Sequence, residues 1–129
     1  MRQSRTLMSK RRRVVAVVDD DRSMLRATKD LLEALGLAAV VFASAEEFLA
    51  DGPAANPDCL LLDIHLGGMS GLELRRRLAV STPKLPVIFM TALDDERTRL
   101  EAKRADSVAV LHKPYSARQL MDAIEKAIP

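Results

Sequence analysis

The chain reads as an α/β protein built on a five-stranded parallel sheet with five helices covering both faces. Two observations predict this. Five short strand-like segments alternate with five helical patterns along the 129 residues. The strand segments are also near-continuous apolar runs, which strands buried on both faces require. Strand–helix alternation of this kind makes βαβ crossovers, and crossovers make neighbouring strands parallel.

Each element has its own local signal. The first strand is Val14–Val18, followed by a helix from about Arg22 to Leu35 that Gly36 stops. Leu25, Thr28, Leu32 and Leu35 keep helical spacing along it. Asp21, just ahead of Arg22, reads as the N-cap of that helix. The second strand is Ala38–Phe42, and Ser44 with Glu47 three residues on has the form of a capping box. It opens a short helix to about Ala50, after which Asp51-Gly52-Pro53 and Asn56-Pro57 mark a loop. Cys59–Leu62 is the third strand, and Gly67-Gly68 lies in a flexible loop. A helix from about Gly71 to Val80 turns Leu74 and Leu78 inward. Pro83 and Pro86 flank the loop before the fourth strand, Val87–Met90. A heavily charged helix covers about Asp95 to Arg104, and the fifth strand is Val108–Leu111. The last helix, from about Ser116 to Ile128, packs Leu120, Ile124, Ala127 and Ile128.

Composition narrows the function classes. The net charge of +2 hides an asymmetry. Residues 1–13 carry six basic side chains and no acid, so residues 14–129 carry a net charge of −4 against +2 for the whole. Residues 1–13 have no apolar periodicity and are expected to be a disordered basic tail, leaving 14–129 as one domain. Six basic charges could bind phosphates non-specifically, but no recognition element follows them, so no specific nucleic acid is expected. With no Trp and few aromatics, base stacking is also disfavoured. The single cysteine, Cys59, excludes an internal disulfide and reads as a core residue in a reducing compartment. No apolar run approaches the ~20 residues of a membrane span. The expected location is cytoplasmic, without membrane contact.

The chemistry gathers at the strand ends. The first strand runs into Asp19-Asp20-Asp21, the third ends at Asp63, the fourth at Thr91 and the fifth at His112-Lys113. In an open parallel sheet these ends share one edge, where such sheets place their sites. Two carboxylates ~4 Å apart repel by about 4 kcal/mol at an effective dielectric near 20. A cluster of three acids therefore calls for a cation beyond one lysine. Carboxylates, a hydroxyl and an ammonium together suit Mg²⁺ and a phosphoryl group.

The pieces Val-Val-Asp-Asp-Asp at 17–21, Leu-Leu-Leu-Asp-Ile-His-Leu at 60–66, Gly-Met-Ser-Gly at 68–71, Phe-Met-Thr-Ala at 89–92 and His-Lys-Pro-Tyr at 112–115 resemble, in order and separation, the receiver domain of two-component response regulators. The resemblance covers about residues 13–128. It implies a flavodoxin-like doubly wound sheet of strand order 2-1-3-4-5. Asp63 then corresponds to the phospho-accepting aspartate. Asp19 and Asp20 correspond to the acidic pair that, with Asp63 and the backbone carbonyl of His65, holds Mg²⁺, Asp20 directly and Asp19 through water. Thr91, Ala92 and Lys113 correspond to the phosphoryl-binding residues, with the Lys113–Pro114 bond often cis. Thr91 and Val110 occupy the switch positions. The implied function is a phospho-acceptor in a phosphorelay that changes partner binding and catalyses only its own phosphorylation and dephosphorylation. The implied donor is a histidine kinase or a histidine phosphotransfer protein. The target is an undefined downstream protein or a second copy of the chain in a homodimer.

Each residue has a plainer reading on its own. Thr91 can be a loop hydroxyl and Lys113 a solvated lysine. The His65 ring reads as a loop side chain, and His112 packs or faces solvent. Two other functions fit parts of the pattern. A Mg²⁺-dependent aspartyl-phosphate phosphatase of the haloacid dehalogenase type also uses a strand-end Asp, a Thr and a Lys. It needs a second Asp two residues after the nucleophile, where this chain has His65. A receiver cut from a longer effector protein would look the same as a stand-alone one. Three positions depart from the family pattern: Gly67 stands for the usual Pro, Asp106 for a Gly expected to be left-handed, and Val110 for an aromatic residue. Gly67 implies a more flexible loop, and Val110 implies an unconventional output.

Overall fold

The computed structural model describes residues 12–129. Five strands form one parallel sheet: β1 (Val14–Val18), β2 (Ala38–Phe42), β3 (Cys59–Asp63), β4 (Val87–Thr91) and β5 (Ala109–His112). Their order is β2-β1-β3-β4-β5, the doubly wound order 2-1-3-4-5 that the family resemblance implies. Five helices connect them: α1 (Arg22–Ala34), α2 (Ala45–Asp51), α3 (Gly71–Ser81), α4 (Glu96–Arg104) and α5 (Ala117–Ala127).

Alternation within the apolar strands builds two cores. Val15, Val17, Cys59, Leu61, Ile88 and Met90 face α1 and α5, meeting Leu25, Leu32, Leu120 and Ile124. Ala16, Val18, Leu60, Leu62, Val87 and Phe89 face the other way and meet Phe48, Leu74, Leu78 and Ala102. All five residues of β3 and all five of β4 are buried, as are four of five in β1. The edge strands β2 and β5 are only half-buried. Near-continuous apolarity is thus demanded of the central strands, and the edges tolerate less of it. Burial lifts the Cys59 thiol to about 12, with Asp58 adding to the effect, so it stays protonated and inert.

The caps hold the helix starts at the sheet edge. Asp21 Oδ1 accepts the N–H groups of Ser23 and Met24, which makes it the N-cap of α1. Ser44 Oγ accepts from the Glu47 N–H at 3.0 Å, but the Glu47 carboxylate reaches back one residue further than a capping box, to the Ala43 N–H. Ser116 and Gln119 form the full box on α5, which the sequence reading passed over. A short 3₁₀ turn, Pro53–Ala55, sits in the expected loop and ends at Asn56 with φ +51°. Asp106 takes the expected left-handed conformation, with φ +60°. β5 begins one residue later than expected, although the Val108 N–H still donates to the Val87 carbonyl.

The expected disordered tail, residues 1–13, lies outside the described residues as far as Arg11. Arg12 and Arg13 are described and engaged with the domain. Arg12 donates to the Leu37 carbonyl, and Arg13 donates to the Ile128 carbonyl at 2.9 Å. No helix among the described residues is long and apolar enough to cross a membrane.

Candidate functional site

The carboxyl ends of β1, β3, β4 and β5 are in register. Val18 pairs with Leu62, Asp63 with Met90, and Thr91 with His112. The next residues therefore converge on one edge. Carboxylate oxygens of Asp19, Asp20 and Asp63 all lie within 4.8 Å of one another. Asp19 is 1% exposed and Asp63 7%, whereas Asp20 is open to solvent.

Every carboxylate in the cluster is held. Asp19 Oδ1 accepts the Asp21 N–H at 3.0 Å, and its Oδ2 accepts from Lys113 Nζ at 2.7 Å. Asp63 Oδ1 accepts the His65 N–H at 2.9 Å, and its Oδ2 accepts from the same ammonium at 2.9 Å. Asp20 Oδ2 accepts the Gly67 N–H at 3.1 Å. Asp19 therefore spends both oxygens on protein partners in a buried place, and Asp20 is the more reachable acid for an incoming ion. An all-oxygen set of clustered carboxylates at a sheet edge matches the preference of a hard divalent cation.

The electrostatics show an excess of acid. Burial raises the Asp63 carboxyl above its ordinary value, and Asp19 adds to this, against hydrogen bonds from Lys113 and the His65 N–H. Burial also opposes the charge on Lys113, but its hydrogen bonds to Asp19 and Asp63 outweigh that and raise it. Two buried carboxylates share one ammonium, and Asp63 is still undercompensated.

Thr91 is 3% exposed, and its hydroxyl is turned onto its own loop. Oγ1 accepts the Leu93 N–H at 3.0 Å and donates to the Leu93 carbonyl at 3.2 Å. The structure thus brings Asp19, Asp20, Asp63 and Lys113 into direct relation and leaves Thr91 beside them, facing away. Ala92 and the side chains of His65 and His112 are exposed. Val110 on the edge strand is 40% exposed. The Lys113–Pro114 bond is cis.

Sequence reasoning missed the supports of the site. Glu46, in the first turn of α2, accepts the Met69 N–H at 3.1 Å and so fastens the β3–α3 loop. Tyr115 meets Thr28 of α1 at 3.1 Å between hydroxyl oxygens. A threonine on the apolar stripe of a helix was the available signal, because a buried hydroxyl requires a partner.

Comparison with known proteins agrees with this geometry. The family profile described as the response regulator receiver domain matches residues 15–125. The response regulator protein TodT of Pseudomonas putida is 34% identical over 121 residues, 94% of this chain and 53% of TodT. Nodulation protein W of Bradyrhizobium diazoefficiens is 37% identical over 114 residues, 88% of this chain and 50% of that protein. The chain thus spans about half the length of these curated relatives. Among solved structures, a CheY-like response regulator receiver domain protein from Methanospirillum hungatei JF-1 superposes with a TM-score of 0.83 at 28% identity, covering 90% of this chain and 93% of that one. On sequence, fold and the arrangement of its strand-end residues, the chain belongs to the response regulator receiver domain family of two-component systems.

Proposed function

We propose that this receiver accepts a phosphoryl group on Asp63 and changes its affinity for a partner as a result. The observation that carries this reading is the Lys113 ammonium, set 2.7 Å from Asp19 and 2.9 Å from Asp63 with Asp20 alongside. Phosphoryl transfer asks for positioning and charge neutralisation more than for covalent machinery. Asp63 is the nucleophile, and the His65 N–H and Lys113 fix both of its oxygens. Asp20 and Asp63, with the His65 carbonyl, would hold Mg²⁺ directly, and Asp19 would act through water. Bound there, the ion supplies the positive charge that offsets the acids and the phosphoryl oxygens. Lys113 neutralises one of those oxygens. The Thr91 hydroxyl must leave Leu93 to reach another, and Ala92 would bind the same group.

A histidine kinase or histidine phosphotransfer protein is the proposed donor, in the cytoplasm. The output is protein–protein contact, with a downstream protein or a second copy of the chain. The phosphatase alternative is not favoured: position 65, where that class needs an acid, is a histidine with an exposed ring. A receiver segment of a longer effector is a second reading, favoured by the half-length match to the curated relatives. The test is labelling with a small-molecule phosphodonor and Mg²⁺. Label should map to Asp63 and vanish in Asp63→Asn, and full labelling of Asp63→Asn would refute the assignment.

A further inference from the structure

Few hydrogen bonds between two side chains cross this molecule among the described residues. Among the described residues, four join side chains far apart in sequence: two from Lys113, to Asp19 and Asp63, and two from Tyr115, to Thr28 and Met90. The other side-chain pairs connect residues at most five apart. The Lys113 bonds belong to the acid site. The Tyr115 bonds take no part in that chemistry, yet they tie together the same stretches of chain. Thr28 lies on α1, the helix that follows Asp19 and Asp20. Met90 precedes Thr91 on β4, and Tyr115 follows Lys113 by two residues.

We infer that Tyr115 is a positioning residue for Lys113, its hydroxyl fastening the Lys113–Tyr115 segment to α1 and β4 behind the acid cluster. The inference rests on the reading that Lys113 receives the phosphoryl group. A phenol has one proton to give and lone pairs to accept with. Its oxygen stands 3.1 Å from Thr28 Oγ1 and 3.4 Å from Met90 Sδ, so it can donate to the sulfur while accepting from Thr28. Thr28 is 3% exposed, and Tyr115 is the partner that satisfies its hydroxyl. The Tyr115 ring packs against the core shared by α1 and α5. Burial raises its phenol above the ordinary tyrosine value, which keeps the proton in place.

Lysine reaches its partners on a flexible four-carbon stem. The ammonium can hold two acids only if its backbone is fixed. That backbone has one anchor on β4, the Lys113 N–H donating to the Thr91 carbonyl at 2.8 Å. Tyr115 supplies the second. A phenylalanine would fill the same volume and leave this anchor unmade.

The test compares Tyr115→Phe, Thr28→Val, the double variant and Thr28→Ser in the full chain. The first readout needs no phosphorylation: amide hydrogen exchange at Lys113 against Leu61 in the central sheet. Exchange at Lys113 should quicken on the order of tenfold in each single variant, no further in the double, and hold near wild type in Thr28→Ser, with Leu61 unchanged. The second readout is the rate of Asp63 labelling at saturating Mg²⁺. It should fall about tenfold in Tyr115→Phe while Mg²⁺ affinity stays within about twofold, because loosened positioning acts on the transfer and not on the ion. Unchanged exchange at Lys113, equal changes at Lys113 and Leu61, or additive single effects would each overturn the inference. If the wild-type protein takes no label at all, the phospho-acceptor reading of Asp63 fails, and the exchange data still decide the role of Tyr115.

Discussion

Asp63 Oδ2 accepts a hydrogen bond from the Lys113 ammonium at 2.9 Å, yet the Asp63 carboxyl titrates above the ordinary aspartate range. Burial is the first cause, and the neighbouring Asp19 adds to it. The fold therefore pays for keeping Asp63 ionised. A carboxyl whose folded value exceeds its unfolded value of about 3.9 favours folding below that pH and loses this contribution as pH rises through the folded value. Asp63→Asn removes the charge and keeps the shape, and Lys113 still has Asp19. At pH 7 the variant should be more stable than wild type by on the order of 1 kcal/mol, about 4 °C in Tm. The gap should close toward pH 4. Thermal melts at the two pH values check this, and a destabilised Asp63→Asn at pH 7 would count against it.

Metal should stabilise wild type more than the variants that lose one of the acids. The acid excess that strains wild type is what a divalent cation relieves. Mg²⁺ at about one hundred times its Kd should stabilise wild type by about 2.7 kcal/mol. Asp63→Asn and Asp20→Asn should gain clearly less. Melts with Mg²⁺ and with a chelator measure the difference, and equal gains in all three proteins would place the ion elsewhere.

Gly67, in the β3–α3 loop, and Gly71, at the start of α3, should respond in contrary ways. A Cβ on Gly67 would meet nothing nearer than Asp20 Oδ2 at 3.8 Å, so Gly67→Ala should stay within about 0.5 kcal/mol of wild type. A Cβ on Gly71 would lie 2.2 Å from the backbone carbonyl oxygen of Asp63. Neither backbone can yield without moving the acid site, and Gly71→Ala should cost about 2 kcal/mol or more. It should also weaken Mg²⁺ binding, since Asp63 moves with its backbone. Gly67→Pro, the family's usual residue, removes the N–H that Asp20 accepts. It should be less stable than Gly67→Ala without Mg²⁺. Melting and Mg²⁺ titration of the three variants test the set.

The contrast shows which parts of this protein a sequence exposes. The sheet was legible because β3 and β4 are buried on both faces and leave unbroken apolar runs. The candidate site was legible because Asp63 and Thr91 end two strand segments and Asp19 and Lys113 follow two others. Gly67 carried a weaker signal. Its lost proline suggested a loose loop, but the loop is fastened by Asp20 through Gly67 and by Glu46 through Met69. Those bonds join residues 47 and 23 positions apart and have no local pattern to reveal them. The Tyr115–Thr28 contact spans 87 positions, so the threonine on the apolar stripe of α1 signals a buried partner without naming it. Edge strand β5 misled by one residue because only Leu111 in it is buried.

Thr91 gives a test of the local switch. Its hydroxyl now closes the loop through Leu93. Thr91→Val keeps the volume and loses that closure, at a cost of about 1 kcal/mol. Thr91→Ser should keep both the closure and most of the Asp63 labelling rate, whereas Thr91→Val should slow labelling. Equal labelling by the serine and valine variants would remove the hydroxyl from the phosphoryl site.

Output should run through α4 rather than through the fifth strand. Val110 is short, stiff at χ1 and 40% exposed, so it cannot sweep the volume of an aromatic ring on phosphorylation. α4 is the loosely held element. Of its nine residues only Thr98 and Ala102 are buried, and Leu100 is 46% exposed. Its start depends on Asp95, whose carboxylate takes the Thr98 N–H at 2.7 Å and is held below the ordinary range by that bond. The three residues between Thr91 and Asp95 join the proposed phosphoryl site to this cap. Drawing the Thr91 hydroxyl away from Leu93 must disturb that loop, and α4 has little packing to resist. Arg97, Arg99, Lys103 and Arg104 then move as a basic surface suited to an acidic partner or a second copy of the chain. Amide shifts on adding Mg²⁺ with a beryllofluoride phosphoryl mimic should concentrate in residues 91–104, with smaller changes over 109–112. Larger changes in β5 than in α4 would reverse this assignment.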